Sequence, residues 1–437
     1  MRVGVIGLGH VGLVSAACFA HLGHEVVGVD ADAERVEGLR QGRLPFFEPG
    51  LAELLEEGLS SGRLRVREEV EAAVRASPIV LICVGTPSRP SGEADLVQVE
   101  RLAREIAGHL EGYRVLAEKS TVPIRTADRI ARTVSRSAGD RPFDVISTPE
   151  FLRQGSAIAD TLEPDRIVIG SGSRRATDIA LQLYRPIIER SGCPVILTDV
   201  GTAELIKHAS NAFLATKISF VNALAEVCER TGADVDDVAR GMGLDPRIGP
   251  AFLRPGIGYG GSCLPKDVAA FQALAEQVGT GFRLLAEVQA INERGPARVV
   301  EKLRQELWHL EGKAVAVLGL AFKPGTDDLR GAPSLKLIEA LQAEGADLVA
   351  FDPVAMPAAK HVLSNVRFAS SALEAATGAD AAVFVTDWNE FRGLDLDALR
   401  AAMRLPVIVD GRNLFRPEEM RRAGFAYHSI GRVPVGL

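Results

Sequence analysis

The segment Gly260–Asp267, which reads GGSCLPKD, holds the residues best suited to chemistry. Cys263 follows two glycines, and Lys266 and Asp267 come three and four residues after it. Glycines let a backbone approach a ligand closely, and a nearby ammonium favours the thiolate, the form that attacks carbonyl carbons. Because a lone cysteine is more often an inert buried residue, the segment by itself leaves a structural role open as well.

A glycine turn near the start of the chain supplies a second chemical element. Gly7, Gly9 and Gly12 follow the apolar run Val3–Ile6, and Asp30 lies eighteen residues beyond the last glycine. This pattern predicts a βαβ dinucleotide site, in which a helix N-terminus receives the pyrophosphate and the acid binds the ribose hydroxyls. Asp30 favours NAD over NADP, although Arg35 softens that preference. A redox cofactor and a reactive thiol together indicate oxidation of an aldehyde through a thioester.

Further polar motifs follow apolar strands at 84–88 (VGTPS), 120–123 (STVP) and 149–152 (PEFL). The carboxyl ends of strands are where an open α/β sheet binds its ligand. Glu150 in the third motif is a candidate general base. A solvated loop carboxylate is the more common role for such a residue, so both interpretations stay open here.

A long helix is predicted between Thr202 and Arg230, where neither proline nor glycine occurs and apolar residues recur at helical spacing. Such a helix would be roughly 45 Å long, so we expect it to bridge two domains and to supply a subunit interface. Glu204, Lys207 and Asn211 form a polar stripe along it. The pair of Lys207 and Asn211 suits the stabilisation of an oxyanion, and a solvated helix face is the alternative.

The organisation of the chain indicates an α/β protein. The segment VAVLGLA…AEGADLVAFD repeats the pattern of VGVIGLG…HLGHEVVGVD, but it lacks the third glycine, so we expect it to bind something other than a dinucleotide or to bind it differently. We predict two Rossmann-like doubly wound domains joined by a long central helix and a helical middle domain. The expected ranges are 1–199 for cofactor binding, 200–298 for the helical dimerisation domain and 299–437 for the last α/β domain.

Composition excludes several classes of function. A net charge of −7 without a basic block argues against nucleic acid. Five scattered cysteines suit a reducing cytoplasm, and neither they nor the eight histidines have metal-ligand spacing. We therefore expect no metal, and we expect no signal peptide. We also expect no membrane span, because no apolar run of about 20 residues occurs.

These motifs, in this order, resemble the nucleotide-sugar 6-dehydrogenase family, and most closely its UDP-glucose 6-dehydrogenases. The resemblance covers essentially the whole chain. The motifs that carry it include FFEPGL at Phe46–Leu51, EKSTVP, PEFL, AELIKHASNAFLATKISF, RIGPAFLRPGIGYGGSCLPKD and AFKPGTDD.

The resemblance implies roles for individual residues. Cys263 would be the nucleophile, Lys207, Asn211 and Asp267 would arrange charge and water, Glu150 would be the acid/base of thioester hydrolysis, and Thr121 would help to hold water. The residues expected to contact NAD are Gly7, Gly9, His10, Val11, Gly12, Asp30, Arg35, Thr86, Thr121, Gln154, Lys266 and Arg330. Those expected to contact the nucleotide sugar are Glu150, Phe151, Leu152, Lys207, Asn211, Arg247, Phe252, Leu253, Arg254, Tyr259, Gly260, Phe322, Lys323 and Arg412.

The reaction that the resemblance implies is a four-electron oxidation of a sugar C6 alcohol to a carboxylate, by a homodimer built on the central helix. The sugar nucleotide could instead be GDP-mannose or a UDP-N-acetylhexosamine. A two-electron hydroxyacid dehydrogenase would have no use for Cys263, and an inactive NAD-binding scaffold would not need Glu150 or Lys207. Two positions depart from the family pattern, because Gln154 and Gly331 stand where an acid is usual.

Overall fold

The computed structural model describes residues 1–436, which form two compact units. The first unit comprises Met1–Ser210 and Ala269–Val278. The second comprises Asn211–Val268 and the residues from Gly279 onward. The boundaries at 199 and 298 expected from the sequence stay a prediction.

The first unit is built on one sheet. Its strands are β1 (Arg2–Ile6), β2 (Glu25–Val29), β3 (Leu64–Arg67), β4 (Ile79–Ile82), β5 (Arg114–Glu118), β6 (Phe143–Ser147), β7 (Ile167–Gly170) and β8 (Val195–Thr198). Within the described residues they lie in the order β3-β2-β1-β4-β5-β6-β7-β8. The order reverses direction beside β1, which is where doubly wound sheets bind ligands.

Both faces of this sheet are covered, which explains why its strands read as continuous apolar runs. In β4, Ile79 and Leu81 enter one hydrophobic core, whereas Val80 and Ile82 enter the core on the other face. The helices that cover the faces are α1 (His10–His21), α2 (Ala33–Arg40), α3 (Leu51–Ser60), α4 (Val70–Ala76), α5 (Val97–His109), α6 (Thr126–Ala138), α7 (Ala157–Leu162) and α8 (Arg174–Ser191).

The pairing of β6 with β7 departs from an all-parallel sheet. Ser147 and Gly170, the last residues of the two strands, pair in antiparallel fashion, and β8 then runs parallel to β7. Two parallel neighbours need a crossover connection that returns the chain to the end of the sheet where the first strand began. The connection here, with its six-residue helix α7, brings the chain into β7 from the other direction. It also carries Glu150 and Gln154.

Four helices follow: α9 (Val200–Thr231), α10 (Val235–Gly243), α11 (Leu264–Gln277) and α12 (Arg283–Leu307). The 32-residue helix α9 confirms the long helix predicted from the sequence. The 25-residue helix α12 continues through Pro296, so a proline does not end it.

The chain ends in a second α/β domain within the second unit. Its strands are β9 (Ala314–Leu318), β10 (Asp347–Phe351), β11 (Val366–Phe368), β12 (Ala381–Phe384), β13 (Val407–Asp410) and β14 (Ala426–Ser429). Among the described residues they form a parallel sheet in the order β11-β10-β9-β12-β13-β14. Its helices are α13 (Pro333–Ala343), α14 (Met356–Val362), α15 (Ala372–Ala376), α16 (Asn389–Arg392), α17 (Leu396–Ala402) and α18 (Pro417–Arg422).

This strand order is that of a Rossmann fold, so the prediction of Rossmann-like domains at both ends of the chain is confirmed. Among residues 1–436, no helix combines the length and the apolar character needed to cross a membrane.

Candidate active site

The first glycine turn has the geometry of a dinucleotide site. Gly7 has φ +94°, and a Cβ there would lie 2.7 Å from the backbone of Cys83. A Cβ on Gly12 would lie 1.8 Å from the carbonyl oxygen of Gly7. By contrast, a Cβ on Gly9 would meet no atom within 4 Å, and α1 begins directly after it without a side-chain cap. Packing therefore requires Gly7 and Gly12, whereas the space at Gly9 and the open helix N-terminus fit a bound pyrophosphate.

Asp30 is oriented at the end of β2. One carboxylate oxygen accepts hydrogen bonds from the amide of Leu8 at 2.7 Å and from Nη1 of Arg35 at 3.0 Å, and the other accepts from the amide of Asp32 at 3.0 Å. The predicted ribose-binding acid and the predicted cofactor residue Arg35 therefore belong to one cluster. Arg35 balances the charge of this carboxylate.

Glu48, from the FFEPGL motif, connects two parts of this site. Its fully buried carboxylate accepts hydrogen bonds from the amides of Gly155 at 2.8 Å and Ala157 at 2.9 Å. Nε2 of His10 lies 2.9 Å from the same carboxylate. Glu48 thus joins the first residue of α1 to the loop that carries Gln154. Sequence reasoning noted the motif but assigned this residue no role.

Glu150 and Lys207 form a buried ion pair with an Nζ–Oε1 distance of 3.1 Å, and each side chain is 4% exposed. The second carboxylate oxygen accepts the amide of Leu152 at 2.5 Å. Burial acts to raise the pKa of Glu150, but the Lys207 ammonium, the Leu152 amide and the Lys119 ammonium outweigh it and hold the pKa below its ordinary value. The carboxylate is therefore ionised and able to accept a proton.

Lys119 is a second buried cation near Glu150, and sequence reasoning did not select it. Its Nζ lies 3.4 Å from the hydroxyl of Tyr184. A cavity of about 50 Å³, which is room enough for water, is lined by Lys119, Glu150, Tyr184 and Arg166 among others. Burial acts to lower the pKa of Lys119, yet Tyr184, Cys83 and Glu150 together hold it above the ordinary value.

The loop that carries Thr121 is held from two sides. Oγ1 of Thr86 donates a hydrogen bond to the carbonyl oxygen of Thr121 at 2.8 Å. From α9, the carboxylate of Glu204 accepts the amides of Arg125 at 2.6 Å and Ala127 at 3.0 Å, and Nε2 of His208 donates to a carbonyl of the same loop at 2.7 Å. Glu204, part of the predicted polar stripe, therefore satisfies the N-terminal amides of α6 instead of facing solvent.

In the second unit, Cys263 directly precedes α11. Its side chain is exposed, whereas those of the four other cysteines are buried. The amide of Asp267 donates to the carbonyl oxygen of Cys263 at 2.8 Å, so the sulfur lies at a helix N-terminus, where the helix dipole favours negative charge. Asp267 is fully buried and accepts a 2.5 Å hydrogen bond from Nδ2 of Asn211. Three predicted catalytic residues are therefore close together.

Arg330 belongs to the same neighbourhood. Its carbonyl oxygen accepts the amide of Gly261 at 2.8 Å. Hydrogen bonds to Asp328 raise the pKa of its guanidinium first, and the charge of Cys263 contributes in the same direction. A Cβ on Gly260 would lie 2.3 Å from the carbonyl oxygen of Gly331, which itself has φ +59°. The left-handed conformation explains how glycine suits position 331, where the family pattern has an acid.

The other residues predicted to bind the substrate have different surroundings. Leu253, Tyr259 and Gly260 are buried, and Phe322 packs on Gly261. Arg412 donates to the carbonyl of Val385 at 2.7 Å and lies beside Gly256. Arg254 is exposed, and the exposed Arg247 pairs with Asp245 at 2.6 Å. Lys323 lies 5.6 Å above the ring of Phe322.

The predicted cofactor residues are divided between the units, because Lys266 and Arg330 belong to the second unit and the rest to the first. In residues 1–436, no group of three or more His, Cys, Asp or Glu side chains is arranged to hold a metal ion.

Comparisons with known proteins cover nearly the whole chain. Models of the UDP-glucose/GDP-mannose dehydrogenase family match residues 1–188 (NAD binding domain), 201–294 (central domain) and 316–417 (UDP binding domain). A UDP-glucose 6-dehydrogenase of Bacillus subtilis is 47% identical, with 99% of this chain and 94% of the relative aligned. One from Rhizobium meliloti is 45% identical, with 99% and 100% aligned. The chain belongs to the UDP-glucose/GDP-mannose dehydrogenase family.

Solved structures support the same family over its full length. The structure of a UDP-glucose dehydrogenase from Pyrobaculum islandicum has a TM-score of 0.92 and 39% identity, and covers 99% of this chain and 98% of its own. A UDP-D-ManNAc dehydrogenase from Pyrococcus horikoshii has a TM-score of 0.88 and 32% identity, with 99% of both chains covered. This member of the dehydrogenase family is accordingly an NAD-dependent oxidoreductase.

The second glycine turn lies in the region matched by the family's UDP binding domain, and protein atoms fill it. Asp352, the counterpart of Asp30, is 1% exposed and accepts the amides of Leu320 at 2.7 Å and Ala321 at 3.0 Å and Nε1 of Trp388 at 3.0 Å. Ala321 is itself buried where Gly9 leaves space in the first turn. The second turn therefore lacks the open space that Gly9 leaves in the first.

Proposed function

We propose that this dehydrogenase oxidises the C6 alcohol of UDP-glucose to the carboxylate of UDP-glucuronate. The observation that carries the proposal is the single exposed cysteine, Cys263, at the N-terminus of α11, where its carbonyl oxygen accepts the amide of Asp267. Two full-length relatives at 47% and 45% identity are named UDP-glucose 6-dehydrogenases, which supports this substrate.

NAD fits the first glycine turn, since Gly9 leaves room for the pyrophosphate and Asp30 is oriented for the ribose. NAD held there would supply the hydride acceptor, at one hydride for each NAD molecule, so the alcohol and the thiohemiacetal would need two NAD molecules in succession. We assign to NAD binding three further residues of this domain, His10, Val11 and Thr86. Gln154 is assigned to the same function, and it lies on the loop that the carboxylate of Glu48 holds.

Cys263 captures the aldehyde formed by the first oxidation. The thiolate adds to C6, a C–S bond forms, and the carbonyl oxygen takes up a proton to give a thiohemiacetal. Loss of that hydroxyl proton and of the second hydride gives the thioester. Lys207 and Asn211, one turn apart on α9, stabilise the negative charge on oxygen during these steps, which is commonly a large catalytic effect.

Water then cleaves the thioester. Glu150 accepts a proton from the attacking water, Thr121 helps to hold that water, and the C–S bond breaks to release the carboxylate and regenerate the thiolate. The ionised state of Glu150 beside Lys207 supports this assignment. Overall, one alcohol, two NAD and one water give one carboxylate, two NADH and three protons.

We further propose that the enzyme is a homodimer. On α9, Phe213, Phe220 and Val227 recur every seven residues and are 65%, 50% and 55% exposed. Seven residues make two turns, so these side chains lie on one face, and a second copy of the chain would cover them. An exposed catalytic thiol also requires a reducing compartment, which supports the cytoplasm as its location.

A panel of nucleotide sugars tests the substrate assignment. We expect NADH release to be fastest, in kcat/KM, with UDP-glucose, and to be far slower with GDP-mannose and UDP-N-acetylmannosamine. A higher kcat/KM for either of the latter two would contradict the assignment of UDP-glucose while leaving the family unchanged.

A further inference from the structure

Asn292, on α12, holds the glycine-rich segment that precedes Cys263. Its Oδ1 accepts the amide of Tyr259 at 2.7 Å, and its Nδ2 donates to the carbonyl oxygen of the same residue at 3.0 Å. A single side chain thus satisfies both backbone polar groups of Tyr259, as a neighbouring β-strand would.

Close backbone packing around Asn292 leaves little room for another arrangement of the segment. Gly258 has φ +116°, and a Cβ there would lie 2.8 Å from Oδ1 of Asn292. One turn along α12, a Cβ on Gly295 would lie 2.1 Å from the carbonyl oxygen of Ile257. The segment therefore lies directly on α12, and glycines at both surfaces permit the contact.

The same segment is fixed at each end. Oδ1 of Asn222, on α9, accepts the amide of Gly256 at 2.8 Å, and the amide of Gly261 donates to the carbonyl of Arg330 at 2.8 Å. Asn292 holds the middle. Cys263 follows two residues after the last of these contacts, so its position depends on them.

We propose that Asn292 is a positioning residue that sets where the sulfur of Cys263 lies relative to Arg330 and the N-terminus of α11. The inference rests on the proposed role of Cys263 as nucleophile. A segment with glycine at 256, 258, 260 and 261 has many accessible conformations, and the two hydrogen bonds of Asn292 select one of them. Misplacement of a reacting atom by about 1 Å can cost roughly 100-fold in rate.

The test is Asn292→Asp, which keeps the shape and the acceptor but replaces the Nδ2 donor with a carboxylate oxygen that repels the carbonyl of Tyr259. With the full-length enzyme we expect alkylation of Cys263 by iodoacetamide, followed by mass spectrometry, to slow about fivefold or more. We expect kcat with UDP-glucose and NAD to fall about tenfold or more, and the KM for NAD to stay within about twofold. Asn292→Ser shortens the side chain, so that both hydrogen bonds to Tyr259 are lost without an added charge, and it should shift both rates in the same direction.

Asn413 provides a matched control, because its Oδ1 and Nδ2 make the same pair of hydrogen bonds to Ile430, both at 2.9 Å, on a segment that does not lead to Cys263. Asn413→Asp should lower the melting temperature and leave the rate of Cys263 alkylation unchanged. An unchanged alkylation rate in both Asn292 variants, or an equal decrease in Asn413→Asp, would overturn the inference. Alkylation requires no turnover, so a failure of the nucleophile assignment would be seen separately, as near-normal activity in Cys263→Ser.

Discussion

The ion pair of Glu150 and Lys207 illustrates what single residues contribute. Burying two charges is costly unless each has further hydrogen bonds, and Glu150 also accepts the amide of Leu152. The pKa of Glu150 lies below its ordinary value, so the pair stabilises the fold above about pH 4.3, the value for an unfolded glutamate, and this contribution is lost as pH falls through the folded value.

Replacement of Lys207 tests both its catalytic role and its effect on Glu150. Without the ammonium, the effect of burial on the pKa of Glu150 is opposed less strongly, so the pKa should rise. For Lys207→Ala we expect kcat to fall by roughly 10²–10³-fold, the cost of losing one oxyanion donor, and the acid limb of the pH–kcat profile to shift to higher pH. Steady-state rates between pH 5 and 9 measure both effects.

Lys360→Ala, which removes an exposed lysine of the last domain, is the control and should retain the profile of the unmodified enzyme. If Lys207→Ala had a normal kcat and an unshifted acid limb, Lys207 would have a structural role only.

At the scale of secondary-structure elements, helix α9 supplies residues to several of the contacts described above. Its first turns supply Glu204 and His208, which hold the loop of Thr121, and Lys207, which pairs with Glu150. Its later turns carry Asn211, which binds Asp267, and the exposed apolar stripe. This helix of 32 residues therefore carries residues of both proposed roles, catalysis and assembly.

Substitutions in the exposed stripe test the proposed dimer. We expect the unmodified enzyme to sediment at twice 46.6 kDa, and Phe213→Asp combined with Phe220→Asp to sediment as a monomer, because two carboxylates cannot be desolvated in an apolar interface. Trp308→Asp is the control, since Trp308 is 89% exposed but lies outside α9, and it should leave the dimer intact. A 46.6 kDa species for the unmodified enzyme at micromolar concentration would refute the dimer.

Glu48 connects elements of the cofactor-binding domain, so its loss should affect more than one of them. Glu48→Ala leaves the buried amide of Ala157 without its acceptor, at a cost of about 1–3 kcal/mol, and also removes the acceptor of the partly buried amide of Gly155. We expect a lower free energy of unfolding and a several-fold higher KM for NAD, measured by urea denaturation and by steady-state kinetics. Glu53→Ala, an exposed acid on α3, should change neither, and an unaltered KM in Glu48→Ala would contradict a link between this carboxylate and the cofactor.

At the scale of the whole molecule, hydrophobic periodicity and glycine turns were enough to predict two Rossmann-like domains and the long helix. The direction of β7 was not predictable in this way, because Ile167–Gly170 is equally apolar whichever way it runs. The continuation of α12 through Pro296 likewise depends on tertiary packing, since the buried packing of Val299 and Leu303 outweighs a local preference to break the helix.

The chemistry-bearing residues of the site were predictable by type, but their partners were not. Cys263, Glu150 and Lys207 were selected from motifs, whereas the roles of Glu48 and Asn292 depend on contacts with residues distant in the chain. Glu48 lies in the FFEPGL motif, so the sequence carries a signal at this position. Asn292 lies in a helix among ordinary polar residues and offered none.

The stoichiometry of NADH release, measured in the unmodified enzyme and in Cys263→Ser, tests the covalent route most directly. We expect two NADH for each UDP-glucose, no appreciable free aldehyde, and protection of Cys263 from alkylation by bound UDP-glucose. Cys263→Ser should fold and bind NAD but turn over extremely slowly, because a serine hydroxyl at neutral pH is a far weaker nucleophile than a thiolate. Near-normal turnover of Cys263→Ser with two NADH per sugar would contradict the covalent mechanism and make Cys263 a structural residue.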